Sequence, residues 1–175
     1  TCSATLVGYV SAPAALVVPA TVTFDGTEFQ VQGIDAYAFY KCSTLKSLDT
    51  GDVTSVGFKA FASSGLTEVR FGEQLESISG YAFSRCAFTE LVLPYWTASI
   101  GNSAFSGCVG IERLWTPYLC DYGTNVFHGL SFYHPDGETA IDVGGWMFNG
   151  QTFFGSDRNL ILEEAETGKA FVQGL

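Results

Sequence analysis

The chain has 175 residues, 47% of them hydrophobic and 15% aromatic, which excludes intrinsic disorder because this much apolar surface offsets chain entropy. Charged residues make up only 15%, and 8 basic against 18 acidic side chains give a formal charge of −10. That balance excludes the phosphate neutralisation on which nucleic-acid binding rests, and no basic cluster gives a foothold on an anionic membrane. The length fits one domain with room for a small appendage.

Residues 1–32 read as an N-terminal β cap. The longest apolar stretch, Ala12 to Ala20, is about half a membrane span and holds Pro13 and Pro19, so direct membrane insertion is not expected. The chain starts at Thr1 without a basic n-region and apolar h-region, as expected of a mature or excised piece whose signal and anchor lie outside it. Asp25-Gly26 is a hairpin turn candidate between the runs VTF and EFQVQ.

From residue 33 a 22-residue period takes over. Phe39, Phe61, Phe83, Phe105 and Phe127 form one column; Ile34, Val56, Ile78, Ile100 and Tyr122 form a second. Cys42, Ser64, Cys86, Cys108 and Leu130 make a third, and Val53, Leu75, Thr97 and Leu119 a fourth. The pair Leu45/Leu48 recurs as Leu66/Val69, Phe88/Leu91 and Ile111/Leu114. Such self-similarity is the mark of a solenoid, in which no unit buries its own apolar face and each leans on its neighbours. The Ala-Phe segment is too short for an independent helix and is expected to make one helical or 3₁₀ turn. The following LTEVRF and FTELVLP runs have strand spacing, with Pro94 and Pro117 ending the strands. Stacked units would set these strands in parallel, about 4.7–4.9 Å apart.

The blocks IDAYAFYKC, VGFKAFASS, ISGYAFSRC and IGNSAFSGC, each followed by an apolar-x-x-apolar-x-apolar run, resemble the BspA-like leucine-rich repeats of bacterial and some protist surface proteins. The likeness covers residues 33–130 as five repeats, and LVGY, LVVPATV and FQVQGI resemble that family's N-terminal hairpin. Ser64 and Leu130 depart from the pattern, standing where it has cysteine. The resemblance implies an α/β repeat solenoid: a right-handed leucine-rich-repeat superhelix with a parallel sheet of short strands and β-rich terminal caps. It also implies an extracellular or cell-surface location, and adhesion or binding rather than catalysis.

After Leu130 the period fails. SFYH, Pro135-Asp136-Gly137, TAIDV, TFF and NLILE read as short strands and turns, so residues 131–163 are expected to form a C-terminal β cap. Residues 164–175 read as a frayed helix or the beginning of a linker. The five cysteines include no Cys-x-x-Cys pair, and the Cys42, Cys86 and Cys108 column is expected to be a ladder of buried thiols. Cys2 is a lipidation candidate only behind a signal peptide, and Thr1 suits that junction poorly. His128 and His134, with Asp136 and Glu138 near, match no helical or finger ligand spacing and read as surface residues. No nucleophile elbow, phosphate loop, dinucleotide loop or His-Glu-x-x-His occurs, so no catalytic residue, cofactor or metal is expected.

If the paired apolar residues of each unit point inward, the residues between them point outward. The outward columns are then Ser47, Glu68, Glu90, Arg113 and Asp49, Arg70, Val92, Trp115, followed by Asp52, Glu73, Tyr95, Tyr118 just past each strand. The late rungs are aromatic. Val92, Tyr95, Trp115 and Tyr118, rimmed by Arg70, Glu90 and Arg113, have the composition of an interaction hot spot. Packing by the cap is the competing role for Trp115 and Tyr118, and Trp96 and Trp146 are expected in core or cap. The expected function is a non-enzymatic binding module for a protein or glycan on another cell or matrix. A structural spacer in a larger surface protein is the alternative, and a hydrolase site around His134, Asp136 and Glu138 a third.

Overall fold

The computed structural model describes residues 2–11, 13–141, 148 and 150–163. Trp146, the last two residues of the TAIDV run and the 164–175 tail lie outside them. The N-terminal strands are β1 (Ser3–Leu6), β2 (Ala15–Val17), β3 (Thr21–Phe24) and β4 (Thr27–Ile34). The repeats supply β5 (Ser47–Asp49), β6 (Ser55–Val56), β7 (Glu68–Arg70), β8 (Ser77–Ile78), β9 (Glu90–Val92), β10 (Ser99–Ile100), β11 (Arg113–Trp115) and β12 (Asp121–Tyr122). Beyond them lie β13 (Ser131–Tyr133), β14 (Thr152–Ser156) and β15 (Asn159–Leu162). No α-helix occurs among the described residues.

Each repeat therefore carries two strands where its pattern promises one. From β6 onward the second is only two residues long, and the apolar residue that opens each block is its inward member. Ile34, Val56, Ile78, Ile100 and Tyr122 pair in parallel register, rung to rung, and close a second sheet opposite the expected one. The core fills the space between the two sheets and an arc of turns that joins them.

The arc differs from expectation. Its N–H groups alternate: Ala38, Tyr40 and Cys42 bond three residues back, whereas Tyr37, Phe39 and Lys41 donate to the carbonyls of Phe58, Ala60 and Ala62 on the next rung. A 3₁₀ turn would use every donor internally. Here a left-handed residue at Tyr37 (φ 61°) and another at Lys41 (φ 57°) re-aim alternate amides along the solenoid axis. The same two positions recur in every unit, as Lys59/Ser63, Tyr81/Arg85, Ser103/Gly107 and Asn125/Gly129. Arc bonds run from each rung to the next, while in the β4–β12 sheet Gly57, Ser79, Gly101 and Gly123 donate backward to Ile34, Val56, Ile78 and Ile100. Rungs are thus tied in both directions.

Inside the arc the phenylalanine column forms one stack. Centroids of Phe39, Phe61, Phe83, Phe105 and Phe127 are 5.2, 5.1, 5.5 and 5.8 Å apart in turn, with interplanar angles of 2–15°. Burying each ring stabilises the fold by about 1.5–3 kcal/mol. Tyr9 continues the stack 5.2 Å from Phe39 at 11°. With β1 beside β4 and β2 beside β5, the first residues make an irregular extra rung. Its outer strand is three residues long and stands between Pro13 and Pro19, which blunts a free sheet edge. The β3–β4 hairpin turns at Asp25-Gly26, both left-handed (φ 49° and 73°) as a two-residue hairpin loop requires.

At the other end the strand order is β13-β15-β14-β11-β9. β13 follows the fifth phenylalanine and would pair with β11 in an uninterrupted solenoid. Instead the antiparallel β14–β15 hairpin lies between them, turning at Asp157-Arg158 (φ 51° and 72°). Phe132, Phe148, Phe153 and Leu160 carry the core under it. Next to β13, Gly137 donates to His134 across the Pro135-Asp136-Gly137 turn, and Tyr133 bridges Ala140.

Candidate functional site

Leu48, Leu91 and Leu114 are buried, so Asp49, Arg70, Glu90, Val92, Arg113 and Trp115 leave the strands on the outer side, as alternation requires. They do not form one continuous surface. β2-β5-β7 and β9-β11 belong to separate sheets, and no hydrogen bond joins β7 to β9 among the described residues. The cause lies in the core. Phe88 stands where other units have Leu45, Leu66 and Ile111, and Phe71 stands where they have Thr50, Leu93 and Thr116. Phe88 and Phe71 both touch Phe83, at 6.0 and 5.4 Å, and the extra volume holds the strands apart. A cleft of about 500 Å³ opens there, lined by Glu68, Arg70, Glu73, Glu90 and Val92 among others, with half-buried Val69 at its floor. A hollow of about 300 Å³ adjoins it over β2, β5 and β7.

Ion pairs flank the cleft. Arg70 meets Asp49 at 3.2 Å and Arg113 meets Glu90 at 4.0 Å, so each arginine is spoken for within its own sheet. Trp115 is half-buried, edge-on to Phe154 at 6.0 Å, with the Arg113 guanidinium 4.8 Å from its ring and 5.3 Å from Phe154. The C-terminal hairpin thus flanks Trp115 in the plane of the sheet. It also lengthens the outer face: Glu90, Arg113, Phe154, Ile161 and Tyr133 stand in register across five strands. Phe154, Ile161 and Tyr133 were hidden from sequence reasoning because their strands join the sheet out of chain order.

Tyr95 and Tyr118 do not sit on the strand face. They occupy corner turns: at Tyr95 the Thr97 N–H bonds the Pro94 carbonyl, and at Tyr118 the chain turns through a left-handed Leu119 (φ 52°) while the Pro117 carbonyl accepts from Gly150. Their rings stack at 5.7 Å and 7°, with Tyr95 45% and Tyr118 43% exposed. Trp96, expected in core or cap, is 70% exposed and edge-on to Tyr95 at 4.6 Å. The reason is local: fully buried Thr97 takes the inward position and donates its hydroxyl to the Leu75 carbonyl, leaving Trp96 on the outside of the turn. Tyr95, Trp96 and Tyr118 therefore form one corner cluster beside the strand-face group.

The residues with reactive chemistry are engaged elsewhere. Cys86 and Cys108 are buried and donate to the carbonyls of Phe61 and Phe83, one rung back, at 3.3 and 3.1 Å. Burial pushes the Cys86 thiol up to about 11 and that of Cys108 higher still. Asp136 spends its carboxylate on its own turn, accepting from the Thr139 hydroxyl and the N–H groups of Thr139 and Glu138. These bonds, the Thr139 hydroxyl first, hold it down at about 2. His128 and His134 are exposed. No group of three or more His, Cys, Asp or Glu side chains able to hold a metal occurs among the described residues.

Residues 31–152 match the BspA type leucine-rich repeat region in six copies. The chain belongs to that family. Leucine-rich repeat proteins are also among the solved structures it resembles. The T. pallidum leucine-rich repeat protein is 25% identical with a TM-score of 0.65, over 73% of this chain and 61% of that one. A leucine-rich repeat protein from Bacteroides capillosus is 30% identical with a TM-score of 0.53, covering 56% and 75% respectively. The pneumococcal vaccine antigen PcpA, 22% identical at a TM-score of 0.51 over 75% of this chain and 34% of its own, shares the fold. The chain thus spans less than two thirds of the T. pallidum protein. No curated protein matches it.

Proposed function

We propose that this chain is a non-enzymatic binding module of an exported or cell-surface protein, engaging a protein or glycan through its strand face and the adjoining corner. The observation that carries this reading is the corner cluster: Tyr95, Trp96 and Tyr118 stay exposed, with Tyr95 stacked on Tyr118 and edge-on to Trp96. Aromatic rings held on rigid turns lose little freedom on contact, so more of their burial is available to binding. Membership of a family of bacterial surface proteins supports the location, as does likeness in fold to a protein described as a vaccine antigen.

The test is binding of the chain to an array of host matrix proteins and glycans, beside a Trp96→Ala/Tyr118→Ala variant with an unchanged melting temperature. The expected result is saturable binding that the variant weakens about tenfold or more. Binding untouched by the variant, or no binding at all, overturns the assignment.

A further inference from the structure

We infer that the arc side of the first three rungs is a second binding surface, shaped for an acidic polysaccharide. Charge is unevenly distributed around this solenoid. The arc segments 34–43, 56–65, 78–87, 100–109 and 122–129 hold three cations, Lys41, Lys59 and Arg85, against one carboxylate, Asp35. The rest of the chain holds five cations against seventeen carboxylates. An acidic chain therefore presents one basic side, and it is opposite in character to the strand face with its Glu68, Glu73 and Glu90.

The same side carries an exposed aromatic strip. Tyr37 meets Phe58 edge-on at 5.6 Å, Phe58 meets Tyr81 at 6.0 Å, and Tyr40 stands 5.7 Å from Tyr37. All four are substantially open to solvent. The Lys59 ammonium lies 5.1 Å from the Phe58 ring and 5.4 Å from Tyr81, and that of Lys41 lies 5.2 Å from Tyr40. Cations are thus pre-placed among the rings.

Backbone geometry points the same way. Tyr37, Lys59 and Tyr81 fill the first left-handed position of their rungs, where a side chain other than glycine, asparagine or aspartate costs about 1–2 kcal/mol. Later rungs use Ser103 and Asn125 there. Large side chains at a strained position on the early rungs alone are better explained by what they present than by what they stabilise.

The ligand class follows from these parts. Pyranose rings lay their C–H faces on exposed aromatic rings, phenolic hydroxyls of Tyr37, Tyr40 and Tyr81 serve sugar hydroxyls, and Lys41, Lys59 and Arg85 attract carboxylate or sulfate. A strip with a ring on each of the first three rungs suits an extended polymer.

The experiment uses the whole chain with four probes: polygalacturonate, dextran sulfate, neutral dextran and poly-glutamate. The variant is Lys59→Asn/Tyr81→Asn, which copies the fifth-rung residue at the same register and so keeps or raises stability. The expected result is saturable binding of polygalacturonate or dextran sulfate that falls with added salt and drops about tenfold or more in the variant. Trp96→Ala/Tyr118→Ala leaves that binding unchanged, which separates this surface from the proposed corner site. Failure of both acidic polysaccharides to bind, equal binding of neutral dextran, binding of poly-glutamate as tight as that of the sugars, or an unaffected Asn variant overturns the inference.

Discussion

On the arc, six rings from Tyr9 to Phe127 stack without interruption at spacings of 5.1–5.8 Å, and every rung is bonded to the next. On the strand face, built from the same units, pairing stops at β7, resumes at β9, and takes in an antiparallel hairpin after β11. The difference shows where the repeat is constrained. Arc residues must satisfy a neighbour on each side with the same shape, so a change in one ring is felt along the column. Strand positions have only to bury one residue in two, and two oversized side chains, Phe71 and Phe88, are enough to part them. The face that tolerates irregularity is the one free to acquire a cleft, an aromatic corner and an inserted hairpin.

The sharpest way to break this contrast is at the middle of the stack. Phe83 is fully buried and touches Phe61, Phe71, Phe88 and Phe105. Phe83→Ala is expected to cost about 3–5 kcal/mol in urea unfolding. Val92→Ala, on the outer face beside the cleft, is expected to stay within about 0.5 kcal/mol. Comparable losses at the two sites would mean that the strand face is as tightly constrained as the arc.

The columns of the stack were legible in the sequence because each member meets the same surroundings in every rung. The thiol ladder was legible for the same reason, and so was the Asp25-Gly26 hairpin, whose residue types match its left-handed turn. The second strand of each unit was not, since two residues such as Ser55 and Val56 carry no alternation to read. Left-handed arc positions were hidden because lysine, tyrosine, arginine and serine occupy most of them, without the glycine that marks such geometry. Of the candidate site, Arg113 and Trp115 were placed correctly on the outer face by alternation. Extending the count past Pro94 and Pro117 puts Tyr95 and Tyr118 on that face, but the chain has already turned the corner there. Trp96 followed the rule that tryptophan is buried, and Thr97 had taken that place.

A second, smaller effect separates the core of the arc from its rim by pH. The unfolded Cys86 thiol ionises near 9, and burial raises it to about 11 in the folded state. The folded protein therefore holds this proton where the unfolded chain releases it. The stability due to the neutral thiol is present below pH 9 and is lost as pH climbs from 9 towards 11, on the order of 2–3 kcal/mol. Cys108, raised further, steepens the loss. Melting temperatures from pH 8 to 11 should fall more for the native chain than for Cys86→Ser/Cys108→Ser, which copies Ser64 of the same column and does not titrate. Parallel curves would place both thiols in contact with water.

The finest distinction concerns the arc backbone itself. Ser63 has φ 56° and donates its N–H to Ser84 on the next rung. In that left-handed conformation Ser63→Gly removes side-chain strain and adds chain entropy to the unfolded state, two effects of similar size, so stability should change by less than about 1 kcal/mol. Ser63→Val puts a β-branched side chain into the same conformation and should lose about 1–2 kcal/mol. A 3₁₀ turn would reverse the order, because glycine weakens helical segments and valine is tolerated there at a smaller penalty. The sign of the difference between the two variants, read from denaturant unfolding, therefore reports which backbone the arc adopts. It does so at a position whose side chain contributes little else.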